Sequence, residues 1–424
     1  MDIKKLLKGI SDCSCGKSHS CPIDYVDIAD GALSRLPEMC KDHNNILIVC
    51  DKNTYAVCGK DVADILADKV TELLVLKDQT DVVIPDESQI EVIEKKVSSE
   101  TDLIVGVGSG VINDLCKYVS FKNSLPYYIV ATAPSMDGYA SVGSALILGG
   151  MKVTLNARPP KAIIAEPKVL ATAPAPMLQS GYGDIIGKYS CLNDWKLARI
   201  IKDEYFCDEV YELTMSCVKE VEPLAKPVLF RDPAAVGALM EALVAVGIAM
   251  AYVGNSRPAS GSEHHLSHFF EITGILDNKE YFLHGIDVMY SAAVTCKLRE
   301  MILESGISAE EQNRGDWQND VRRIYSTSAD ECIALQNKVG FYEADDSKAI
   351  ADNMAVIKLV LESCPSFDYI NDLLGRIGLD FDEFVKMYGA DKIKDAVLYG
   401  KDLKDRYTVL WLYYKYFKKG NLNG

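Results

Sequence analysis

The chain has 424 residues, 48% of them hydrophobic, and its 45 basic and 61 acidic residues give a formal charge of −16. This length exceeds what one hydrophobic core usually supports, so we expect two domains. The negative charge disfavours nucleic acid and anionic membranes as partners, and an anionic substrate would need a local basic pocket.

The cysteines indicate the compartment. There are 13 of them, an odd number, and no signal peptide is recognisable, so we expect reduced thiols in the cytoplasm. Most are expected to pack as small hydrophobic residues. The run Cys13-Ser-Cys15-Gly-Lys-Ser-His19-Ser-Cys21 is denser and is a candidate second metal site, although its spacing matches no established zinc pattern.

One apolar run, residues 236–253, is nearly long enough to span a bilayer. Glu241 interrupts it, Asp232-Pro233 is typical of a helix start, and Gly254 is typical of a helix end. We therefore expect a buried helix of the second domain and no membrane insertion.

Apolar runs and helical patterns alternate in the first part of the chain. The expected strands are residues 45–50, 72–76, 102–106, 126–131 and 162–165, with helices at 61–69, 89–98 and after Gly110, and a β-hairpin at 145–155 around Gly149-Gly150. Such alternation predicts a parallel sheet with crossover helices, and helical patterns dominate after about residue 170. We predict an α/β dinucleotide-binding domain at 1–168 and an all-helical metal and substrate domain at 169–424.

Polar and glycine residues follow the predicted strands. Gly106-Val-Gly108-Ser109-Gly110 leads into a helix whose N-terminus offers amides to a pyrophosphate, although such a turn is also found as a plain tight connection. Thr132-Ala-Pro-Ser135-Met-Asp137-Gly-Tyr-Ala-Ser141 follows another strand, where α/β sheets bind ligands. Asp51 ends what we take as the first strand and is placed to bind an adenosine ribose, which predicts that NADH is used at least as well as NADPH.

Four of the six histidines lie between His264 and His284. His264 and His268 are four residues apart and share one helix face, and His284 opens a following helix. Imidazoles suit zinc, nickel or ferrous iron, and a catalytic ion also needs an open position. Asp184, expected early in a helix after two glycines, is either the missing carboxylate ligand or a helix cap.

These motifs, in this order, resemble the sn-glycerol-1-phosphate dehydrogenase family of the iron-containing alcohol dehydrogenase and dehydroquinate synthase-like superfamily. The resemblance covers roughly residues 25 to 300 and is strongest in residues 133–141 and 262–268. The chain departs from the family pattern in its extension beyond residue 300. It also departs at Gly285-Ile-Asp287, where the superfamily usually has a glutamate. Neither departure removes a ligand.

The resemblance implies roles for individual residues. The metal ligands would be Asp184, His264 and His284, and the substrate would contact Asp137, Asp184 and His268, with Asp137 and His268 as the catalytic residues. The nicotinamide dinucleotide would be lined by Gly108, Ser109, Gly110, Thr132, Ser135 and Ser141, together with Asp51. His265 has no matching role and is left as structural.

The implied reaction is the reduction of dihydroxyacetone phosphate by NAD(P)H with one divalent metal ion. Lys188 and Arg257 are candidate cations for the substrate phosphate, and each is equally typical of an ion pair. The alternatives are a glycerol-type polyol dehydrogenase, a dehydroquinate-synthase-like lyase that retains its NAD, and an inactive binding protein. We expect a small phosphorylated substrate and a homo-oligomer, a dimer or larger.

Overall fold

A computed structural model describes residues 1–77, 82–149, 151–308 and 315–418. The chain forms two compact units. The first unit comprises Met1–Ile185 and Lys219–Asn255, and the second comprises Ile186–Val218 and Ser256–Gly424.

Every strand among the described residues lies in the first unit. Within the described residues they are β1 Tyr25–Ile28, β2 Ile46–Asp51, β3 Val70–Leu76, β4 Leu103–Gly108, β5 Tyr127–Ala131, β6 Gly143–Leu148, β7 Met151–Asn156 and β8 Ala162–Ala165. Six of them form a parallel sheet in the order β1-β8-β5-β4-β2-β3. β6 and β7 form a separate antiparallel pair.

The central strands are apolar because both faces of a parallel sheet are covered. All residues of β4 and β8 are buried, as are the first five of β2. The runs of apolar residues therefore predicted these strands correctly. The hairpin prediction is also confirmed by β6 and β7, although Gly150 lies outside the described residues.

β1 is the strand that the sequence analysis missed. It pairs only with β8 at the edge of the sheet, and Val26 is its one buried residue. A four-residue edge strand with exposed and half-buried positions leaves no apolar run to recognise. Asp51 consequently ends the second strand of the chain and not the first.

Helices occupy the rest of both units. In chain order they are α1 Ile3–Leu6, α2 Leu36–Met39, α3 Lys52–Thr54, α4 Lys60–Ile65, α5 Glu87–Glu94, α6 Gly110–Lys122, α7 Pro167–Leu170, α8 Ala175–Ile186, α9 Lys188–Lys202, α10 Asp208–Val221, α11 Ala225–Leu229, α12 Pro233–Val253, α13 Ser262–Asp277, α14 His284–Ser305, α15 Trp317–Tyr325, α16 Ala329–Val339, α17 Ser347–Asp352, α18 Met354–Glu362, α19 Phe367–Arg376, α20 Phe381–Tyr399 and α21 Val409–Tyr416.

α12 is the helix predicted from the long apolar run. The Asp232 side chain caps the N-terminus of α12 by accepting a hydrogen bond from Ala235 N. Gly254 ends the helix in a left-handed conformation. It is the one helix among the described residues that is long and apolar enough to cross a membrane, and 78% of its apolar window is buried inside the protein. The burial is as predicted, but the helix belongs to the first unit.

The sequence pattern of residues 402–419 predicts solvated helices and connections, and the described residues of this tail correct that prediction. In α21, Trp411 is completely buried, and so are both leucines beside it. Just before this helix, Lys401 and Asp402 are also fully buried, and the Lys401 Nζ lies 3.9 Å from the ring centre of Tyr414. The apolar and aromatic sequence of α21 is the pattern of a helix buried on all sides, which we had not recognised.

The predicted fold class is confirmed: a parallel-sheet α/β region precedes a region that is helical. The described strands end at Ala165, close to the predicted boundary at residues 168 and 169. The compact units divide the chain elsewhere, because α7, most of α8, α11 and α12 belong to the first unit, where α12 packs against β1, α7 and α11. The boundary of 1–168 and 169–424 therefore remains a prediction about domains.

Candidate active site

The carboxyl edge of the sheet gathers the residues predicted to bind the dinucleotide. From β2 the chain moves outward to β3 and then returns to β4 on the other side of β2, which makes the β2–β4 pair a topological switch point. Open α/β sheets bind ligands at such points. Asp51 ends β2, Gly108 ends β4, and Thr132 directly follows β5, whose partner is β4.

The turn between β4 and α6 has glycines at closely packed positions and leads into the N-terminus of α6. A Cβ at Gly108 would lie 2.5 Å from the side chain of Ile112, and one at Gly106 would lie 2.9 Å from the Tyr127 hydroxyl. Internal packing alone therefore explains these two glycines. Ser109 is the N-cap residue of α6 and makes no side-chain capping hydrogen bond, so its hydroxyl does not cover the first-turn amides. The N-terminus of this 13-residue helix is of the kind that binds anions such as a pyrophosphate.

Asp51 has a structural role besides the predicted one. Its Oδ1 accepts a hydrogen bond from Thr54 N at 2.8 Å and lies 3.1 Å from Thr54 Oγ1, which forms a capping box at the start of α3. A carboxylate at a strand end is also the group that binds an adenosine ribose in dinucleotide folds. The two roles are compatible because a carboxylate has about four acceptor positions.

The segment from Thr132 to Ser141 is held by neighbouring elements of the first unit. Thr132 N donates to Gly108 O at 3.1 Å, and Ser180 Oγ of α8 donates to Ser135 O at 2.9 Å. A Cβ at Gly181 would come within 1.7 Å of Pro134 O, so only glycine allows α8 to approach this closely. Ser141 Oγ donates to Gly138 O at 3.0 Å and closes the turn that contains Asp137.

Lys117 is a positioning residue that the sequence analysis missed. It lies on α6, is completely buried, and donates from Nζ to Gly138 O at 2.7 Å and to Gly143 O at 2.9 Å. Asp114 Oδ1 is 3.4 Å from the same ammonium. Burial lowers the pKa of Lys117, and the Asp114 carboxylate opposes that shift. The buried ammonium therefore fixes both ends of the turn from Asp137 onward.

Asp184 lies at the opposite end of its helix from the one predicted. α8 begins at Ala175 and ends at Ile186, so Asp184 is in its last turn and is completely buried. The two glycines that had suggested a helix start are instead part of α8. Asp184 Oδ2 accepts from Asp137 N at 2.9 Å. A buried carboxylate at a helix C-terminus is disfavoured by the helix dipole, which makes a purely capping role untenable.

In the second unit, three predicted histidines come together. His264 and His268 lie on α13, and His284 is the first residue of α14. The ring centre of His284 is 5.1 Å from that of His264 and 5.6 Å from that of His268. Ser267 Oγ donates to His284 O at 3.4 Å, which helps to hold the start of α14 against α13.

His264 is held in the form that binds a metal ion. Its Nδ1 lies 2.6 Å from Glu263 Oε1, and an imidazole that donates from Nδ1 keeps a lone pair on Nε2. Burial, followed by the charge of Lys188, holds the pKa of His264 well below its usual range, so the ring is neutral. Glu263 was not predicted, although an acidic residue beside His264 was visible in the sequence.

The start of α13 rests on a buried ion pair. Ser262 N donates to Asp194 Oδ2 at 2.7 Å, and the other oxygen of Asp194 accepts from Arg299 Nη2 at 2.7 Å and from Val409 N at 2.9 Å. Asp194 and Arg299 are both buried. The network therefore joins the histidine helix to α9, α14 and the C-terminal tail.

The imidazoles of the second unit fit a divalent transition metal, since neutral histidine nitrogens are preferred ligands of zinc, nickel and iron. His268, Glu271 and His284 also have one ligand atom each within 4.8 Å of one another. This second grouping competes with the predicted division of roles between His264 and His268. His265 is completely buried, and neither ring nitrogen has a hydrogen-bond partner among the described residues.

Basic residues of the second unit act electrostatically on His264. The charges of Lys188, Arg406 and Lys404 all lower the pKa of His264. Arg406 donates to Ser260 O at 2.9 Å and to Ser256 Oγ at 3.1 Å, in the loop before α13. Arg257, the other predicted phosphate candidate, instead donates to the carbonyls of Asp194 and Tyr407 and pairs with Glu204 at 2.8 Å. Lys404 and Arg406 had no local signal in the sequence.

Comparison with known proteins places these features in a family. The model of the family described as iron-containing alcohol dehydrogenase matches residues 27–174. The glycerol-1-phosphate dehydrogenase [NAD(P)+] of Geobacillus stearothermophilus is 31% identical over 376 residues, which cover 86% of this chain and 86% of that protein. The corresponding protein of Halalkalibacterium halodurans is 31% identical over 302 residues, 70% of this chain and 76% of that one.

A solved structure supports the same fold. Sulfoacetaldehyde reductase from Bifidobacterium kashiwanohense, solved in complex with NAD+, gives a TM-score of 0.60 at 15% identity, covering 93% of this chain and 97% of that one. At this identity the likeness concerns the fold alone. From the relatives that match over most of their length, the chain belongs to the glycerol-1-phosphate dehydrogenase family of the iron-containing alcohol dehydrogenases.

Proposed function

We propose that this protein is an NAD(P)H- and metal-dependent dehydrogenase that reduces dihydroxyacetone phosphate to sn-glycerol 1-phosphate. The proposal rests on the convergence of His264, His268 and His284, with basic residues that lower the pKa of His264, in a chain whose overall charge is −16. The relatives named glycerol-1-phosphate dehydrogenase [NAD(P)+] support the same activity.

We propose Asp184, His264 and His284 as the metal ligands. A carboxylate and two imidazoles are a common ligand set for a catalytic zinc, nickel or iron ion, and they leave a position for the substrate oxygen. The buried Asp184 at an unfavourable helix end supports its part in this set. The fixed Nδ1 of His264 supports the other part, since metal-binding histidines usually bond their second nitrogen to an acceptor.

When bound, NAD(P)H supplies the hydride and the metal ion acts as a Lewis acid on the substrate carbonyl. The protein's own task is to bind and orient. Asp51, Gly108, Ser109, Gly110, Thr132, Ser135 and Ser141 are proposed to line the dinucleotide. Asp137 is proposed to hold a substrate hydroxyl, and its position is fixed by the turn that Lys117 and Ser141 close. His268 is proposed to hold the second hydroxyl or to move its proton.

The basic residues of the second unit are proposed to bind the phosphate of the substrate. The positive charges of Lys188, Lys404 and Arg406 each lower the pKa of His264, and local positive charge is what an anionic substrate requires. A polyol without a phosphate would gain nothing from such charges. This observation favours the phosphorylated substrate over the glycerol-type alternative.

The test is steady-state NADH oxidation with dihydroxyacetone phosphate and with dihydroxyacetone. A hydrogen bond to a charged group contributes about 1.5–3 kcal/mol, so kcat/KM should be at least about tenfold higher for the phosphorylated ketone. Lys404→Met should remove most of that difference and leave the dihydroxyacetone rate unchanged. Lys386→Met, at an exposed position, is the matched control.

Two results would reject the proposal. Equal kcat/KM values for the two ketones would indicate a polyol dehydrogenase. Absence of net NADH consumption, with NAD retained through a catalytic cycle, would indicate a lyase of the dehydroquinate synthase type.

We also propose that the protein acts in the cytoplasm as a homo-oligomer, a dimer or larger. The odd number of cysteines supports a reducing compartment, and the structure contains only free thiols among its described residues. Light scattering of the purified protein measures its mass in solution, and a mass near the 46.7 kDa of one chain would reject the oligomer.

A further inference from the structure

The N-terminal cysteine run forms a closed loop in the first unit. Ile10 and His19 pair as an antiparallel bridge, with N to O distances of 2.9 and 2.8 Å in the two directions. Within the loop, Gly16 N donates to Cys13 O at 2.9 Å and Gly16 has a φ of +81°, which favours glycine. The backbone thus turns back on itself and brings the two cysteines beside His19.

Three metal-binding side chains converge in this loop. The ligand atoms of Cys13, Cys15 and His19 all lie within 4.8 Å of one another, and Cys15 Sγ is 3.4 Å from His19 Nε2. Cys13 is 8% exposed and His19 is 3% exposed. Packing of small hydrophobic residues does not require a histidine nitrogen to face a sulfur, whereas ion binding does.

The other nitrogen of His19 is oriented as in a metal ligand. Its Nδ1 lies 2.8 Å from Tyr252 O, near the end of α12, and the two rings are 5.5 Å apart. An imidazole that donates from Nδ1 to a carbonyl directs the lone pair of Nε2 toward a metal, an arrangement common among zinc-binding histidines. This orientation is independent of the cysteine positions and points to the same ligand.

We propose that Cys13, Cys15 and His19 bind a zinc ion that is separate from the catalytic metal. Two thiolates and one neutral imidazole suit zinc, and the two negative charges balance the charge of the ion. Binding releases the two thiol protons and involves no change of oxidation state. The fourth position is taken by water or by one further protein ligand.

The expected role of this zinc is structural. Residues 11–18 of the loop are serine, aspartate, cysteine, glycine and lysine, and His19 connects the loop to α12 through Tyr252. A metal ion stabilises such a loop because its binding free energy is available only when the ligands are brought together. Its loss should therefore lower thermal stability more than turnover.

Cobalt(II) is the probe that separates this site from the catalytic one. The full-length protein, stripped of metal and refilled with cobalt, should show a thiolate-to-cobalt charge-transfer band in the near ultraviolet. His284→Ala should keep this band, because the proposed catalytic ligands include no sulfur. Cys13→Ser and Cys15→Ser should each weaken or remove it, and Cys21→Ser should leave it unchanged.

Zinc content of the protein as purified is the second readout. Cys13→Ser should hold about one equivalent less metal than Cys21→Ser. The proposal is overturned if the cobalt-filled wild-type protein has no charge-transfer band, or if mass spectrometry of the untreated protein finds a disulfide between Cys13 and Cys15. Neither outcome depends on dehydrogenase activity, so failure here leaves the proposed function untouched.

Discussion

The two units place their functional groups in different ways. In the first unit the candidate residues follow β2, β4 and β5, and backbone hydrogen bonds such as Thr132 N to Gly108 O determine where they lie. In the second unit the candidates are side chains on α13 and α14, supported by Glu263 and the Asp194–Arg299 pair. The residues proposed to line the dinucleotide after these strands should therefore tolerate loss of single side chains, whereas the proposed metal ligands should not.

The largest effect is expected from the proposed metal ligands. His264→Ala, His284→Ala and Asp184→Ala should each lose the catalytic metal and lower kcat/KM by at least about 10³-fold, because Lewis-acid stabilisation is worth several kcal/mol. Elemental analysis and NADH oxidation measure the two effects. His43→Ala, a partly exposed histidine paired with Asp102, is the control. Stoichiometric metal in all three variants would contradict the ligand set.

Variants of His268 test which histidine binds the metal and which contacts the substrate. If it contacts the substrate, His268→Asn should keep the metal and lower kcat by about 10²-fold, the contribution typical of a positioned acid or base. If His268, Glu271 and His284 are the true ligand group, His268→Asn should be metal-free and His264→Asn metal-replete. The metal content of these two variants therefore decides which histidine of α13 binds the metal and which contacts the substrate.

A variant of Lys117 tests whether this buried side chain holds the turn that begins at Asp137. Lys117→Met would leave Asp114 and the carbonyls of Gly138 and Gly143 without their buried donor. Breaking such a pair should lower the free energy of unfolding by about 3 kcal/mol. Denaturant titration measures this change, with the surface variant Lys122→Met as control. A loss below about 1 kcal/mol would show that the turn is held by other contacts.

The smallest effect concerns the choice of cofactor. Asp51→Asn keeps an acceptor for the Thr54 cap but removes the charge that repels a 2′-phosphate. The ratio of kcat/KM for NADPH to that for NADH should rise by about tenfold, roughly 1.4 kcal/mol. We expect the wild-type protein to use NADH at least as well as NADPH. A strong wild-type preference for NADPH would show that Asp51 does not face the ribose.

The difference between sites placed by strand ends and sites placed by helix side chains also explains what could be predicted from the sequence. Apolar runs bounded by turn formers identified β2 to β5 and β8, and the residues after them were placed correctly at the carboxyl edge. The edge strand β1 lacked such a run. Asp184 was assigned to the wrong end of α8, because Gly181 resembled a helix break when it serves a close contact with Pro134.

In the second unit only part of the candidate site had a local signal. The spacing of His264 and His268 predicted a shared helix face, and ring centres 6.1 Å apart agree with it. Lys404 and Arg406 are more than 100 residues further along the chain, and Lys117 is an ordinary helix residue by pattern. Long-range burial gives these residues their roles, and no short window of sequence contains that information.

The most direct test of the central claim is product analysis with dihydroxyacetone phosphate and NADH, before and after metal removal. We expect sn-glycerol 1-phosphate in equal amount to the NADH oxidised. We also expect the reaction to stop after chelation and to return when zinc, nickel or ferrous iron is added. Formation of sn-glycerol 3-phosphate, or full activity in protein shown to be metal-free, would contradict it.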